Sequence, residues 1–390
     1  MRTYEKTHPW ITFTLDLRRA SPAFWMLLGE ARSKCDHIAN VPLRPATAEQ
    51  LHWLYFAKGV LATTAIEGNT LSEDEVLRHL EGKLRLPPSK EYLAREIDNI
   101  VTACNRIGTD VRSGHPPVLS VKTITEFNRL VLDKLHVGEG VIAGEVRTHS
   151  VGVARYRGAP AEDCEYLLER LCTWLSGPDF EPPPNMPDMA LVYAILKAIV
   201  AHLYLAWIHP FGDGNGRTAR LVEFLLLVTS GVPGPAAHLP SNHYNQTRME
   251  YYRQLDQASQ SGGDVLPFLT YAVQGFVDGL RSQLERIRSQ QWDVAWENYV
   301  HEKFQHHTSS SDVRRRHLLL DLSDRGDPTP FGKLREVSPR VAEAYATKTK
   351  KTLSRDLSAL INMDLLELTA AGYRPKKEMI LAFLPLRRDL

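Results

Sequence analysis

The sequence IHPFGDGNGRTAR, residues 208–220, decides how the rest of the chain is organised. An apolar stretch with helical character, residues 189–207, precedes it, and a second apolar stretch, residues 221–228, follows. Because both stretches are apolar on all sides, the pattern predicts a polar loop between two buried helices. A histidine, an aspartate and two arginines in such a place indicate a charged ligand.

The loop has the properties of an anion-binding site. His209 precedes Pro210, which disfavours helical geometry at His209, so the first helix is expected to end there. Gly212, Gly214 and Gly216 allow positive φ angles, which would let successive N–H groups point toward one place. The next helix is expected to begin at about Gly216 and to add the positive end of its dipole.

Two arginines support this interpretation. Arg217 and Arg220 are three residues apart and share one face of the second helix. Cations near a helix N-terminus oppose its dipole, so helix stability does not explain them, whereas a bound polyphosphate does. The structural alternative is that they pair with Asp213 and Glu223.

Three further residues of the loop have expected roles. Asp213 would repel a bare phosphate but suits a Mg²⁺ ion carried by one. His209, with a pKa near neutral, suits a general base for a hydroxyl nucleophile, although a histidine at a helix end is more often structural. Phe211 is apolar in a polar loop, so we expect it to anchor the loop in the core.

Composition describes a globular protein with more than one domain. The chain has 390 residues, of which 43% are hydrophobic and 24% charged, with a formal net charge of +1. These values argue against wholesale attraction to nucleic acid or membranes. Residues 310–390, however, carry 16 Lys+Arg against 11 Asp+Glu, which makes a basic tail on a mildly acidic body.

The sequence predicts a cytoplasmic protein without a membrane partner. Its four cysteines form no CxxC pair and are expected to be reduced, buried thiols. The N-terminus lacks the apolar core of a signal peptide. Residues 189–207 come closest to a membrane span, but Lys197 and His202 interrupt them, which favours a buried helix.

Three regions are predicted, namely an N-terminal helical region (1–110), a core (111–305) and a C-terminal domain (312–390). Capping-box spacing at residues 47–50 and 72–75 predicts two helix starts. The first helix is expected to run to Glu67, with Gly68 as its stop. Residues 11–17 alternate like a short strand or an extended arm. Helical periodicity is also present at residues 90–107, 120–135, 164–175, 246–257 and 266–305.

Two stretches depart from this helical pattern. Residues 138–158 are punctuated by glycines and alternate in character, which predicts a small β-hairpin. Residues 306–312 are small and polar and mark a domain boundary. The tail then reads as helices at 314–323, 331–336 and 348–363 and as strands at 365–368 and 378–384 around GYRPKK. The fold class is therefore mainly α, with a hairpin and a C-terminal winged helix-turn-helix module.

The loop resembles the signature of the Fic (filamentation induced by cAMP) family, HPFx(D/E)GNGRxxR, at every fixed position. The resemblance spans about residues 50–290 and implies a helical bundle that transfers AMP from ATP to a hydroxyl of a target protein. The order Asn215, Gly216, Arg217 is that of AMP-transferring members; family phosphotransferases have Asn-Lys-Arg instead.

The resemblance also implies roles for individual residues. His209 would be the base, Asp213 would hold Mg²⁺, and Phe211 would anchor the loop. Asn215, with the backbone of its neighbouring glycines, would form the anion hole. Tyrosines at helical spacing are more often core residues, which is the alternative for Tyr251. The implied nucleotide-binding residues are Gly214, Asn215, Gly216, Arg217, Arg220, Asn245, Tyr251 and Tyr252.

Residues 63–69, TTAIEGN, resemble the family's inhibitory motif, (S/T)xxxE(G/N). In that interpretation the helix before Gly68 delivers Glu67 to Arg220, where the γ-phosphate of ATP would bind. A carboxylate on the last turn of a helix is disfavoured by the dipole and favours a cation elsewhere. The alternative is an ordinary C-capped helix with a solvated glutamate.

The hairpin and the tail indicate partners. The hairpin resembles the family's flap, which holds a target segment by β-strand addition; the alternative is a purely structural hairpin. Residues 348–360 resemble a recognition helix, with Lys348, Lys350, Lys351 and Arg355 outward. Arg374, Lys376 and Lys377 would lie at the tip of the wing and suit DNA phosphates. Winged helices also mediate protein contacts, and pairing of two copies is a further expectation.

The sequence thus predicts an autoinhibited protein adenylyltransferase that uses ATP and Mg²⁺ to modify a Ser, Thr or Tyr hydroxyl. Two alternatives stay open. One is a DNA-binding transcriptional regulator whose Fic core senses nucleotide without turnover. The other is a hydrolase that removes AMP, with Glu67 positioning water.

Overall fold

The computed structural model describes residues 2–153 and 156–381, and most of these are helical. They form two compact units, with the division in the chain between Leu284 and Glu285. The first unit contains the predicted N-terminal region together with most of the predicted core. The mainly α fold class with a small antiparallel hairpin is confirmed.

The first unit is a helical bundle. Its short strands β1 (Gly152–Val153) and β2 (Tyr156–Arg157) pair antiparallel, with Gly152 opposite Arg157. The boundary between the units falls within α13 (Leu266–Lys303). The preceding helices are α1 (Thr3–Thr7), α2 (Pro22–Asn40), α3 (Pro45–Ala65), α4 (Glu73–Leu80), α5 (Glu91–Arg112), α6 (Val121–Val131), α7 (Cys164–Leu175), α8 (Ala190–Ile208), α9 (Asn215–Thr229), α10 (Gly234–Ala237), α11 (Leu239–Gln246) and α12 (Arg248–Gln260).

Helices α8 and α9 form the centre of this unit and flank the polar loop, as predicted. The segment Pro187–Ile208 is long and apolar enough to cross a membrane. Most of its side chains, however, are buried among the other helices of the unit. Its composition is therefore that of a core helix, which needs apolar residues on every face.

The N-terminal part differs from the prediction in two places. Helix α2 was not predicted, although Ser21 caps it by accepting a hydrogen bond from the Phe24 N–H at 3.2 Å. Helix α3 begins at Pro45, so the capping box predicted at Thr47 is wrong: proline suits the first helical position and starts the helix earlier. The capping box at Ser72 is confirmed. Residues 11–17 form an extended arm rather than a strand.

The second unit has its own hydrophobic core. Its described elements after α13 are α14 (Ser310–Ser323), a 3₁₀ helix (Phe331–Glu336), α15 (Pro339–Tyr345), α16 (Lys350–Asn362), β3 (Leu366–Thr369), β4 (Gly372–Pro375) and a 3₁₀ helix (Lys377–Ile380). Strands β3 and β4 pair antiparallel, with Leu366 opposite Pro375. The winged-helix interpretation of this unit stays a prediction.

The second strand of the tail lies earlier than predicted. Residues 378–380 belong to a 3₁₀ helix, and residues 382–384 lie outside the described residues. Residues 372–375, predicted as a turn, form β4, because they pair with β3, and Tyr373 also exchanges two backbone hydrogen bonds of 2.9 Å with Thr329. Gly372, with φ of 140°, permits this approach, since a Cβ there would lie 2.5 Å from the Thr329 carbonyl.

Candidate active site

The loop between α8 and α9 is closed by its own side chains. His209 ends α8 in the left-handed region, with φ of 51°, a conformation that costs a non-glycine residue about 1–2 kcal/mol. The Asn215 amide donates to the Phe211 carbonyl at 2.7 Å and accepts from the Phe211 N–H at 2.9 Å. Asn215 therefore shapes the loop with its whole side chain, and Phe211 is buried beneath it, as expected for an anchor.

Asn128 of α6, which the sequence analysis did not single out, also holds the loop. Its amide nitrogen donates to the Asp213 carbonyl at 2.9 Å, and its amide oxygen accepts from the Gly144 N–H at 2.9 Å. The residue is completely buried. The available signal was an amide on the apolar stripe of α6, between Phe127 and Val131.

The three glycines of the loop serve different purposes. Only Gly214 has a positive φ, at 74°, so the positive φ expected at Gly212 and Gly216 is wrong. At those two positions the lack of a side chain provides space. A Cβ on Gly212 would lie 2.8 Å from Val141, and one on Gly216 would lie 2.1 Å from the Glu67 carboxylate.

The close approach at Gly216 brings the predicted inhibitory glutamate onto the start of α9. Arg220 donates through Nη2 to Glu67 Oε1 at 2.5 Å and to the Thr63 carbonyl at 2.9 Å. The Arg220 side chain is 1% exposed and that of Glu67 is 33% exposed. Glu67 therefore presents its carboxylate where the helix dipole and a guanidinium would otherwise receive an anion.

Arg220 sets the ionisation of Glu67. Burial raises the pKa of a carboxyl group, but the charge and hydrogen bond of Arg220 outweigh it and hold the pKa of Glu67 below its ordinary value. Glu67 is therefore a carboxylate at neutral pH, and protonation does not release it.

Arg217 pairs with two carboxylates. Its side chain is buried and donates to Glu96 Oε1 of α5 at 3.0 Å and to Asp213 Oδ1 at 3.2 Å. Glu96, which the sequence analysis missed, also accepts from the Asn69 amide at 2.8 Å. The structural alternative, in which the arginines pair with Asp213, therefore holds for Arg217. Glu223 instead binds His202 and Tyr244 in the core.

His209 has the properties of a neutral base. Burial lowers the pKa of its imidazole, and the hydrogen bond to the Ala206 carbonyl only partly offsets this. Nδ1 lies 3.4 Å from that carbonyl. With the proton on Nδ1, Nε2 keeps its lone pair and can accept a proton.

Three of the predicted nucleotide-binding residues, Asn245, Tyr251 and Tyr252, lie in different surroundings. Tyr251 is buried, and its hydroxyl is 2.8 Å from Nε2 of His202, which makes it part of the core network. Tyr252 is partly exposed, and its hydroxyl donates to the Ile66 carbonyl at 3.4 Å, beside Glu67. Asn245 is half-buried in α11.

A resident metal centre is not evident in residues 2–153 and 156–381, where no three metal-binding side chains cluster. Asp213 is a single carboxylate with 46% of its side chain exposed. Mg²⁺ in nucleotide sites is commonly held by one or two carboxylates together with phosphate oxygens and water. The side chain present therefore fits an ion that arrives with the nucleotide.

The predicted cations of the tail fall into two groups. Those of the predicted recognition helix are exposed, namely Lys348, Lys350, Lys351 and Arg355. Those of the predicted wing are neutralised: Arg374 pairs with Glu367 and Glu378, Lys376 with Asp364, and Lys377 with Asp293. Arg374 lies within β4, and the hairpin turn is at residues 370–371.

Comparison with known proteins agrees with this geometry. Residues 118–227 match the Fic/DOC family, which confirms the family resemblance. Protein adenylyltransferase fic-1 of Caenorhabditis elegans is 29% identical over 265 residues, or 66% of this chain and 47% of that protein. Its counterpart in Caenorhabditis briggsae is 31% identical over 244 residues, or 63% of this chain and 43% of that protein. The chain thus spans about half the length of these curated relatives.

Solved structures agree on the fold. A Fic family protein from Desulfovibrio desulfuricans G20 superposes with a TM-score of 0.57 at 19% identity, covering 93% of this chain and 98% of that one. A fragment of Fic-1 from C. elegans superposes with a TM-score of 0.55 at 26% identity, covering 68% and 73%.

Proposed function

We propose that the chain transfers AMP from ATP to a Ser, Thr or Tyr hydroxyl of a target protein and that Glu67 restrains this activity. One observation carries the proposal: the Glu67 carboxylate is bound by Arg220 at the start of α9, and the charges of Arg217 and His209 also act on it. Relatives named protein adenylyltransferases support the same reaction.

Few residues take part in the proposed reaction. The target hydroxyl oxygen attacks the α-phosphorus of ATP while its proton passes to Nε2 of His209. The bond from the α-phosphorus to the oxygen that bridges to the β-phosphate breaks, and pyrophosphate leaves. Arg217, Arg220 and the start of α9 hold the phosphates and stabilise the charge that develops on them.

Asp213 is the residue proposed to hold Mg²⁺ with the nucleotide. The ion would neutralise charge on the phosphates. The hydrogen bond of Asn128 to the Asp213 carbonyl and the pairing of Arg217 with its carboxylate orient this side chain.

Replacing Asp213 with asparagine is expected to lower AMP transfer at least about tenfold and to raise the Mg²⁺ concentration needed for half-maximal rate, because a charged ligand is lost. The measurement is the labelling rate against Mg²⁺ concentration. Asp188→Asn, at a carboxylate that is 83% exposed, is the matched control and keeps the wild-type curve. An unchanged Mg²⁺ requirement in Asp213→Asn would remove this residue from the metal site.

The test of the reaction itself compares two labels. ATP labelled at the α-phosphate should label protein, whereas ATP labelled at the γ-phosphate should not, and pyrophosphate should accumulate. Transfer of the γ-label would mean phosphorylation instead. Release of AMP from a previously modified target, without transfer, would favour the hydrolase in which Glu67 positions water.

The hairpin formed by β1 and β2 is the proposed docking place for the target. Strands β1 and β2 are short and antiparallel, and β2 is attached to α8 by the Tyr156 hydroxyl, which donates to the Trp207 carbonyl at 2.7 Å. An extended target segment that adds to such a hairpin would be read mainly through its backbone. Its hydroxyl side chain would then be presented to the loop.

A second activity, DNA binding, is supported by one face of α16. Lys350, Lys351 and Arg355 are exposed there, while Leu353 and Leu357 face the core. Exposed cations on one helix face suit contacts with phosphates, and such binding weakens with salt.

Changing Lys350 and Lys351 to glutamate is expected to weaken duplex DNA binding and to reduce the slope of log affinity against log salt by about two, one for each lost phosphate contact. Fluorescence anisotropy at several salt concentrations measures this slope. Lys333→Glu, an exposed lysine of the same unit, is the control. A wild-type protein without salt-dependent DNA binding would contradict both this activity and the regulator alternative.

A further inference from the structure

Arg147 is a buried cation between the hairpin and the loop that carries His209. Only 5% of the residue is exposed. Its side chain donates to three backbone carbonyls: Nε to His209 at 2.8 Å, Nη1 to His149 at 2.7 Å, and Nη2 to Ala159. A guanidinium used in this way supplies several donors in a fixed plane, which lysine cannot do.

Backbone hydrogen bonds near Arg147 also join the hairpin to the loop that carries His209. The Arg147 N–H donates to the Pro210 carbonyl at 3.0 Å, and the Ala159 N–H donates to the Ile208 carbonyl at 3.2 Å. His149 and Ala159 lie on the two sides of the hairpin, so the guanidinium joins both stems to the residue at the end of α8.

The carbonyl that Arg147 binds belongs to a residue in an unusual conformation. His209 has a φ of 51°, in the left-handed region that few non-glycine residues adopt, and it lies just after the last residue of α8. The space around it is closed on the hairpin side: a Cβ on Gly158 would lie 2.8 Å from the His209 Cβ and 2.9 Å from Arg147 Nη2.

We propose that Arg147 is a positioning residue of the transfer reaction, which fixes the His209 backbone and the two stems of the hairpin in one arrangement. The target hydroxyl, presented by the hairpin, then meets Nε2 of His209 at the correct place. This inference rests on the proposed function. In this role Arg147 acts through the geometry of the base, and its side-chain donors are used by backbone carbonyls.

Arg147 also adds charge beside the base. The groups that act on the imidazole are Arg147, which lowers its pKa, and Glu67 and Asp213, which raise it. A neutral substitution of Arg147 therefore raises the pKa of His209, whereas lysine keeps the charge and loses the planar donors. The two substitutions separate charge from geometry.

The experiment uses the full chain with Glu67→Gly, to which Arg147→Gln, Arg147→Lys or Gly158→Ala is added. We expect Arg147→Gln to lower kcat about 100-fold, as for small misplacements of a reacting group, with KM for ATP unchanged. Guanidinium ion should restore part of the rate. Arg147→Lys should be intermediate, and Gly158→Ala should also lower kcat. Arg129→Gln, at an arginine that is 63% exposed, is the control.

A readout without turnover completes the test. The NMR titration of His209, assigned by difference against His209→Ala, should give a higher pKa in Arg147→Gln and an unchanged pKa in Arg147→Lys. A raised KM for ATP with an unchanged kcat, or full activity in Arg147→Gln, would overturn the inference. If the Glu67→Gly parent labels no protein, the proposed function fails. If that parent is active but the His209 titration is unchanged in Arg147→Gln, Arg147 does not position His209.

Discussion

Replacing Glu67 with glycine is expected to raise AMP labelling of target protein, or of the chain itself, about 10- to 40-fold. The Glu67 carboxylate lies at the start of α9, where the helix dipole favours an anion. Its Oε1 accepts a hydrogen bond of 2.5 Å from Arg220 Nη2. A hydrogen bond between charged groups contributes about 1.5–3 kcal/mol, and about 1.4 kcal/mol corresponds to a tenfold change. The lower part of this range applies, because one third of the Glu67 side chain is exposed to water.

Two variants make this result specific. Glu67→Gln keeps the size of the side chain and loses its charge, so its labelling should lie between wild type and Glu67→Gly. Glu81→Gly removes an exposed carboxylate from the end of α4 and should leave labelling unchanged. Labelling by Glu67→Gly that does not exceed wild type, with ATP saturating, would contradict restraint by Glu67.

The proposed restraint by Glu67 is expected to be independent of pH in the neutral range. The pKa of Glu67 is held below its ordinary value by Arg220, so the carboxylate stays ionised as the pH falls from 8 toward 5. Under this proposal, activation of the wild-type chain would require a movement of the segment after α3, or a partner that competes for Arg220.

Part of the loop was predictable because its chemistry is local: α8 ends at Ile208, two residues before Pro210, and Gly214 takes the left-handed conformation. The hydrogen bonds of Asn215 to Phe211, four positions away, are equally local but were not predicted. Each of these effects acts between neighbours in the chain. The approach of Glu67 to Arg220, by contrast, was expected only through the family resemblance, since 153 residues separate the two.

Other contacts of the site could not be read from the sequence. Asn128 reaches Asp213 across 85 residues, Glu96 reaches Arg217 across 121, and Arg147 reaches His209 across 62. No periodicity or motif encodes such distances. What the sequence did contain was a polar residue in a buried position of α6, which is a signal for a satisfied hydrogen bond and names no partner.

Two elements, α2 and β4, were not predicted, and the reasons differ. The start of α2 carries the Ser21 cap and Pro22 at the first helical position, which are standard start signals. In the tail, the composition of residues 372–377 predicts a turn, whereas pairing with Leu368 of β3 makes Tyr373 part of β4. Local composition is outweighed there by strand pairing.

Replacing His209 with alanine in the Glu67→Gly chain is expected to lower AMP transfer by about 10²- to 10⁴-fold, the usual contribution of a positioned general base. ATP binding should persist, because in the proposed site α9 and its arginines, and not His209, hold the phosphates. The measurement is the initial labelling rate at saturating ATP, with equilibrium ATP binding on the same proteins. His136→Ala, an exposed histidine outside the loop, is the matched control.

The pH profile separates a base from a merely structural histidine. Burial lowers the pKa of His209 below its ordinary 6.5, and only the neutral imidazole accepts the hydroxyl proton. The rate of Glu67→Gly should therefore be flat from pH 8 down to about neutral and fall as the pH drops through the lowered pKa, somewhere below 6.5. The residual activity of His209→Ala should lack this acid limb. If the acid limb persists in His209→Ala, or if that variant labels protein as fast as its parent, another group removes the proton.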